Sequence, residues 1–144
     1  MGHLVADRAA AAVKPVLHRA VTGTPSAVWF RDKFAVNGWT GSWSGGVYDW
    51  HHFHRTTHEV LGCHRGQAVL RLGGEAGRDV VLKAGDVVII PAGLAHCCRS
   101  ASSDFTVLGA YPGGAEPDMQ TGGGVSCPLP KWHLDPVFGA GADS

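Results

Sequence analysis

At 144 residues the chain is long enough for one domain with a real hydrophobic core. Its formal net charge is zero with histidine neutral, which argues against nucleic acid or an acidic membrane surface as partner, and no apolar run approaches the length of a membrane span. Twenty-one glycines and eight prolines call for many turns and hence many short strands, and nine histidines stand against only three glutamates.

Residues 1–24 carry no strong pattern and read as an N-terminal arm, either loose or added as an edge strand. The stretch MGHLVADRAAAAVKPVLHRA is broken by Asp7, Arg8 and Lys14 and lacks the continuous apolar region of a secretory signal, so a cytoplasmic protein is expected. Cys63, Cys97, Cys98 and Cys127 show no C-x-x-C spacing and read as free thiols. Residues 25–38 predict a short helix, with Thr24 as its cap, Pro25 in the first position, Phe30 and Phe34 on one buried face and Asn37-Gly38 as the stop. Residues 39–46, WTGSWSGG, read as a turn-rich connection.

Strands follow. Val47–His54 alternates, placing Tyr48, Trp50, His52 and His54 on one face and Asp49, His51 and Phe53 on the other, with Trp50 expected in the core. Glu59–His64 comes next, then Gln67–Leu72 and Asp79–Leu82 around a GGEAG hairpin, a doubly apolar Asp86–Ile90, and Phe105–Tyr111. Residues 112–130 are too rich in Gly and Pro for regular structure and read as a loop or lid, and LDPVFG reads as a tail on the surface. Six to eight short strands with one minor helix make an all-β sandwich or barrel. The expected organisation is an arm over 1–24, a helix over 25–38, the barrel over 39–115, and a loop and C-terminal tail packing on the barrel over 116–144.

The chemistry concentrates in two places. GVYDWHHFHRTTHEVLGCHRG carries His52, His54 and Glu59 as H-x-H-x4-E, and GDVVIIPAGLAH ends on His96. Two histidines two apart on a strand leave the same face, roughly 7 Å apart along the chain. A turn brings Glu59 back on the adjacent strand, and a second turn at Pro91-Ala92-Gly93 delivers His96. Three imidazoles and a carboxylate suit one divalent transition metal per chain (Fe, Mn, Ni or Zn) and leave positions open for a small-molecule substrate or ligand. Strand parity turns His58 away from Glu59's side and His51 outward. Beyond the ligands, the candidate catalytic groups are Tyr48, His58 and Cys98, none of them an obvious base.

These residues resemble the cupin pattern. Gly46, His52, His54, Glu59 and Gly66 fit G-x5-H-x-H-x4-E-x6-G without a gap, and Gly85, Pro91, Gly93 and His96 fit G-x5-P-x-G-x2-H. Ser100 stands where the pattern expects Asn, a position that is not a metal ligand. Further stretches, among them NGWTGSW at 37–43, THEVLG at 57–62 and DFTVLGAYPGG at 104–114, are similar to the small single-domain YjlB-like cupins of bacteria. The resemblance implies a single cupin jelly-roll β-barrel with a metal in its mouth and, by analogy and from the apolar edges such a barrel leaves, a homodimer. It implies no particular reaction. The leading expectation is a metal-dependent enzyme of the Fe(II) oxygenase or dioxygenase type acting on a small organic molecule. The alternatives are a metal-dependent isomerase or lyase, and a non-enzymatic small-molecule or metal-binding module.

Overall fold

A computed structural model describes residues 14–140; the first half of the arm, with His3, and the last four residues lie outside the described residues. The elements in order are β1 (Val16–His18), α1 (Ala27–Val36), β2 (Trp39–Gly45), β3 (His52–Phe53), β4 (Glu59–Arg65), β5 (Gln67–Leu72), β6 (Arg78–Lys83), β7 (Val87–Ile90), β8 (His96–Ala101), β9 (Thr106–Pro112) and β10 (Gln120–Thr121). They make two antiparallel five-stranded sheets, ordered β1-β7-β4-β9-β2 and β10-β3-β8-β5-β6. Without the edge strands β1 and β10, two four-stranded sheets remain in jelly-roll order.

Strand parity divides the core in two. The odd-numbered residues Leu61 and Cys63 of β4 meet Val88 and Ile90 of β7 and Leu70, Leu72 and Leu82 of the second sheet, filling the space between the sheets. The even-numbered Val60 joins Val87, Ile89, Leu108 and Ala110 on the outer face, under Phe30 and Phe34 of α1. The first sheet is therefore covered on both sides, as the doubly apolar run before Ile90 required. Gly62 makes the helix contact possible: a Cβ there would stand 2.6 Å from the Phe30 ring.

Several local expectations are corrected. The helix is capped by Ser26, whose Oγ accepts from Trp29 N, so Pro25 precedes the helix and Thr24 is not its cap. Residues 39–45 form an edge strand on β9, with a bulge between Thr40 and Trp43, because the backbone of a Gly- and Ser-rich segment pairs as readily as any other once a partner strand lies beside it. The LDPVFG segment is only partly at the surface: Val137 and the nearby Trp132 are buried in the outer core, and Trp39 Nε1 donates to Leu134 O. Asp135 holds that end in place, accepting from Val137 N and Phe138 N and pairing at 2.6 Å with His18 of β1. The described part of the arm includes an edge strand, β1, paired with β7.

Candidate metal centre

Glu59 opens β4, facing between the sheets in the same register as Leu61 and Cys63. His96 opens β8, directly opposite His52 of β3. His54 follows β3 by one residue. The expected continuous strand over 47–54 is not formed: only His52–Phe53 pair, and the segment before them is irregular. Even so, the imidazole nitrogens of His52, His54 and His96 lie within 4.8 Å of one another, all three buried. Glu59 joins two of them, with Oε1 3.4 Å from His54 Nε2 and 3.5 Å from His96 Nε2. Thus the four sequence-derived ligand candidates come together at one end of the inter-sheet space.

Hydrogen bonds settle how the rings face. His52 Nδ1 lies 2.9 Å from Trp50 O, His96 Nδ1 3.2 Å from Leu94 O, and His54 Nδ1 against Asp118 O. A carbonyl oxygen only accepts, so each Nδ1 carries a hydrogen and each neutral ring turns an Nε2 lone pair inward. Three lone pairs and a carboxylate facing one point repel unless a cation stands among them. The donor set therefore fits a metal, and the backbone carbonyls supply the outer hydrogen bonds that metal-binding histidines need.

The charges agree. Burial and the neighbouring His96 lower the pKa of His52 to about 4, so it is neutral and ready to ligate near pH 7. Burial alone would raise Glu59, but the adjoining His54 and His96 rings hold it down at about 2, an ionised carboxylate. Burial works against charge on His54, yet the Glu59 contact outweighs it and raises that pKa.

A second set of groups, overlooked in the sequence, holds the carboxylate. Tyr111 of β9 donates its hydroxyl to Glu59 Oε2 at 2.9 Å and accepts from Trp43 Nε1 at 2.8 Å. Burial and Glu59 together push the Tyr111 pKa well above the usual range, so it stays a donor. Trp43 reaches it by lying flat over Gly109, where a Cβ would come within 2.3 Å of the indole. The parity of β9 places Tyr111 inward with Val107; that signal was present, but Tyr111 lies far from either histidine motif.

Asp118 is the other overlooked residue. Its Oδ1 accepts from Arg55 N, Thr56 N and Thr56 Oγ1, its Oδ2 accepts from Gln120 Nε2, and its backbone carbonyl holds His54. With β10 paired to β3, this ties residues 116–121 across the site as a strap.

The remaining candidates divide. Tyr48 stands at the pocket mouth, stacked on Trp50 with ring centroids 4.2 Å apart and set edge-on to His52. Trp50 is 48% exposed, not core, because the irregular segment swings both rings toward solvent. His58 is buried outside the pocket: its Nδ1 accepts from Ala92 N and its Nε2 donates to Pro130 O at 2.6 Å, so both nitrogens are committed. Cys98 packs beside the inter-sheet core and is absent from the pocket wall. His51 is half-buried outside the pocket wall, with Nε2 3.8 Å from Cys97 Sγ. All four cysteines are unpaired. The pocket itself has a volume of about 390 Å³, small for a ligand site.

Residues 41–108 match the family described as the cupin domain, and the matched span contains all four site residues. The chain thus carries a cupin domain and is similar to a bacterial cupin. It is 56% identical over 86 residues to YjlB of Bacillus subtilis (strain 168), a match covering 60% of this chain and 52% of that protein. The matched stretch thus spans about half the length of that relative. Solved structures similar to this cupin include pumpkin seed globulin (18% identity, 56% of this chain and 22% of that one, TM-score 0.47) and a DUF861 family protein from Thermotoga maritima (17% identity, 68% and 99%, TM-score 0.44). Another is the WlaRB TDP-quinovose 3,4-ketoisomerase from Campylobacter jejuni (16% identity, 49% and 59%, TM-score 0.43). No described helix is long and apolar enough to cross a membrane.

Proposed function

We propose that this cupin holds one divalent transition metal on His52, His54, His96 and Glu59 and is an Fe(II)-dependent oxygenase acting on a small organic molecule. The single observation that carries the metal is the inward turn of three Nε2 lone pairs, fixed by three carbonyl-bound Nδ1–H groups, against an ionised Glu59. A bound Fe(II) would supply a redox-active, Lewis-acidic centre.

What the rest of the pocket lacks favours oxygenase over isomerase or lyase. Proton shuffling on a substrate needs a base with a pKa near the working pH. Apart from the ligands, the wall offers Tyr48, Tyr111 and Asp118. Tyr111 is locked as a donor to Glu59, and the hydrogen bonds to Asp118 hold its carboxyl far below the usual carboxylate range. Neither is a base for neutral pH, and Tyr48 is half-exposed at the mouth. The pocket's own residues would bind and orient a ligand, and a bound metal would supply the redox chemistry. The test is oxygen uptake. Fe(II)-loaded protein should consume dioxygen with some member of a panel of small enols, thiols and aromatic diols, and the His96→Ala variant should not. Turnover that persists without oxygen, and with Zn or Mn in place of Fe, would move the protein to the isomerases or lyases. We read it further as a cytoplasmic homodimer; a monomeric mass by light scattering would remove the dimer from this proposal.

A further inference from the structure

The pocket wall beyond the metal ligands has one chemical character. Trp43, Val47, Leu61, Tyr111 and Met119 present apolar or aromatic surface, and Tyr48 adds a ring at the entrance, backed by the Trp50 face at 4.2 Å. No Lys or Arg is among the described residues that line it. Arg55, next to His54 in the chain, is exposed and outside the wall. At the mouth the formal charge is negative: Asp118 lines the pocket there beside the half-exposed Met119. A ligand at the buried histidines meets a largely apolar wall that includes the rings of Trp43, Tyr48 and Tyr111, with the carboxylate of Asp118 also in the lining. Ring stacking rewards planar aromatic ligands, and a negative group left beside Asp118 without a cation is disfavoured in a partly desolvated site.

We infer that the substrate is a small aromatic molecule whose outer end bears no negative charge. This rests on the metal reading above and adds the ligand's class. It sets this pocket apart from one built for dicarboxylates or phosphorylated sugars, which call for Lys or Arg in the wall.

The experiment uses full-length protein loaded with Co(II), so that no turnover interferes, and follows the Co(II) visible spectrum with catechol, 3,4-dihydroxybenzoate and oxalate as probes. Catechol and its carboxylated form present the same two hydroxyls and differ only at the outer end. Catechol should bind at least tenfold more tightly than 3,4-dihydroxybenzoate, and oxalate, which cannot stack, should bind more weakly than catechol. Met119→Lys, at a position 50% exposed and so tolerant of change, should bring the two catechols to parity or invert them. Asp118→Asn should shrink the gap as well. Equal or tighter binding of 3,4-dihydroxybenzoate by the unaltered protein would overturn the inference, as would preference for oxalate. A Co(II)-loaded protein that ignores both catechols would also overturn it while leaving the metal reading intact, whereas failure to take up Co(II) would bring down the metal reading and this inference with it.

Discussion

Glu59, His96 and Tyr111 stand on β4, β8 and β9, strands of six or seven residues with neighbours on both sides, whereas His52, His54 and Asp118 stand on chain that is strand for two residues at most. On the first wall, pleat and register aim the side chains, and each is a fixed consequence of its neighbours' burial. On the second, aim comes from hydrogen bonds between segments more than sixty residues apart: Asp118 O to His54, Asp118 Oδ1 to the 55–56 turn, and β10 to β3. One half of the site is built by periodic structure and the other by a tether, so the two halves should fail differently when cut.

The largest effect is expected from the ligands themselves. His52→Ala, His54→Ala, His96→Ala and Glu59→Ala should each weaken metal binding by at least about a hundredfold, irrespective of wall, as judged by competition with a metal chelator. Next comes the tether. Asp118→Ala removes the acceptor for four donors and frees the strap that carries the His54 partner; a loss of about 10–100-fold in metal affinity is expected, together with faster amide exchange over 116–121 and little change in β4. If exchange quickens equally in β4, the walls are not independent. On the strand wall, Tyr111→Phe deletes one hydrogen bond to Glu59 and should cost no more than about tenfold in metal affinity, with the fold intact. Gly109→Ala should act in the same direction by lifting Trp43 off β9. His58→Ala should leave metal affinity within about twofold, while orphaning Ala92 N and Pro130 O at a cost of about 2 kcal/mol in stability. A metal-free His58→Ala protein beside a metal-replete Glu59→Ala protein would mean that β4 is out of register by one residue.

The smallest effect lies away from the pocket. Burial works against the charge on Asp135, but His18 and two backbone N–H groups hold its pKa below the ordinary value. A carboxyl depressed in the folded state stabilises the fold above its unfolded pKa, and that contribution is lost as pH falls through the folded value. The melting temperature of the parent protein should therefore converge on that of Asp135→Asn only on the acid side of the ordinary carboxylate range.

What was legible beforehand follows the same division. The inward face of Glu59, the doubly covered β7, the Gln67–Leu72 strand and the Phe30/Phe34 face of α1 all rest on periodicity, which a sequence displays directly. His52 and His54 do lie close together with His96, although the extended strand invoked to explain their spacing is not there. Trp50 was misplaced for that reason, since alternation has no force once pairing stops. Tyr111 was passed over although its parity faces inward, and Asp118 was invisible, because their roles depend on contacts made 52 to 64 residues away, and Asp118 lies in a segment whose Gly and Pro content announces only irregularity. Val137 fell in a segment read as surface because a short apolar tail shows no period, yet the outer face of the first sheet needed covering, and Val137 with Trp132 covers part of it.

Four inward donors demand a cation. Elemental analysis of untagged protein, purified without added metal and again after exposure to Fe, Mn, Ni, Co and Zn, tests it most directly. About one transition metal per chain is expected, lost in His96→Ala and retained in His58→Ala. A folded protein that is metal-free as isolated and refuses all five ions would contradict it.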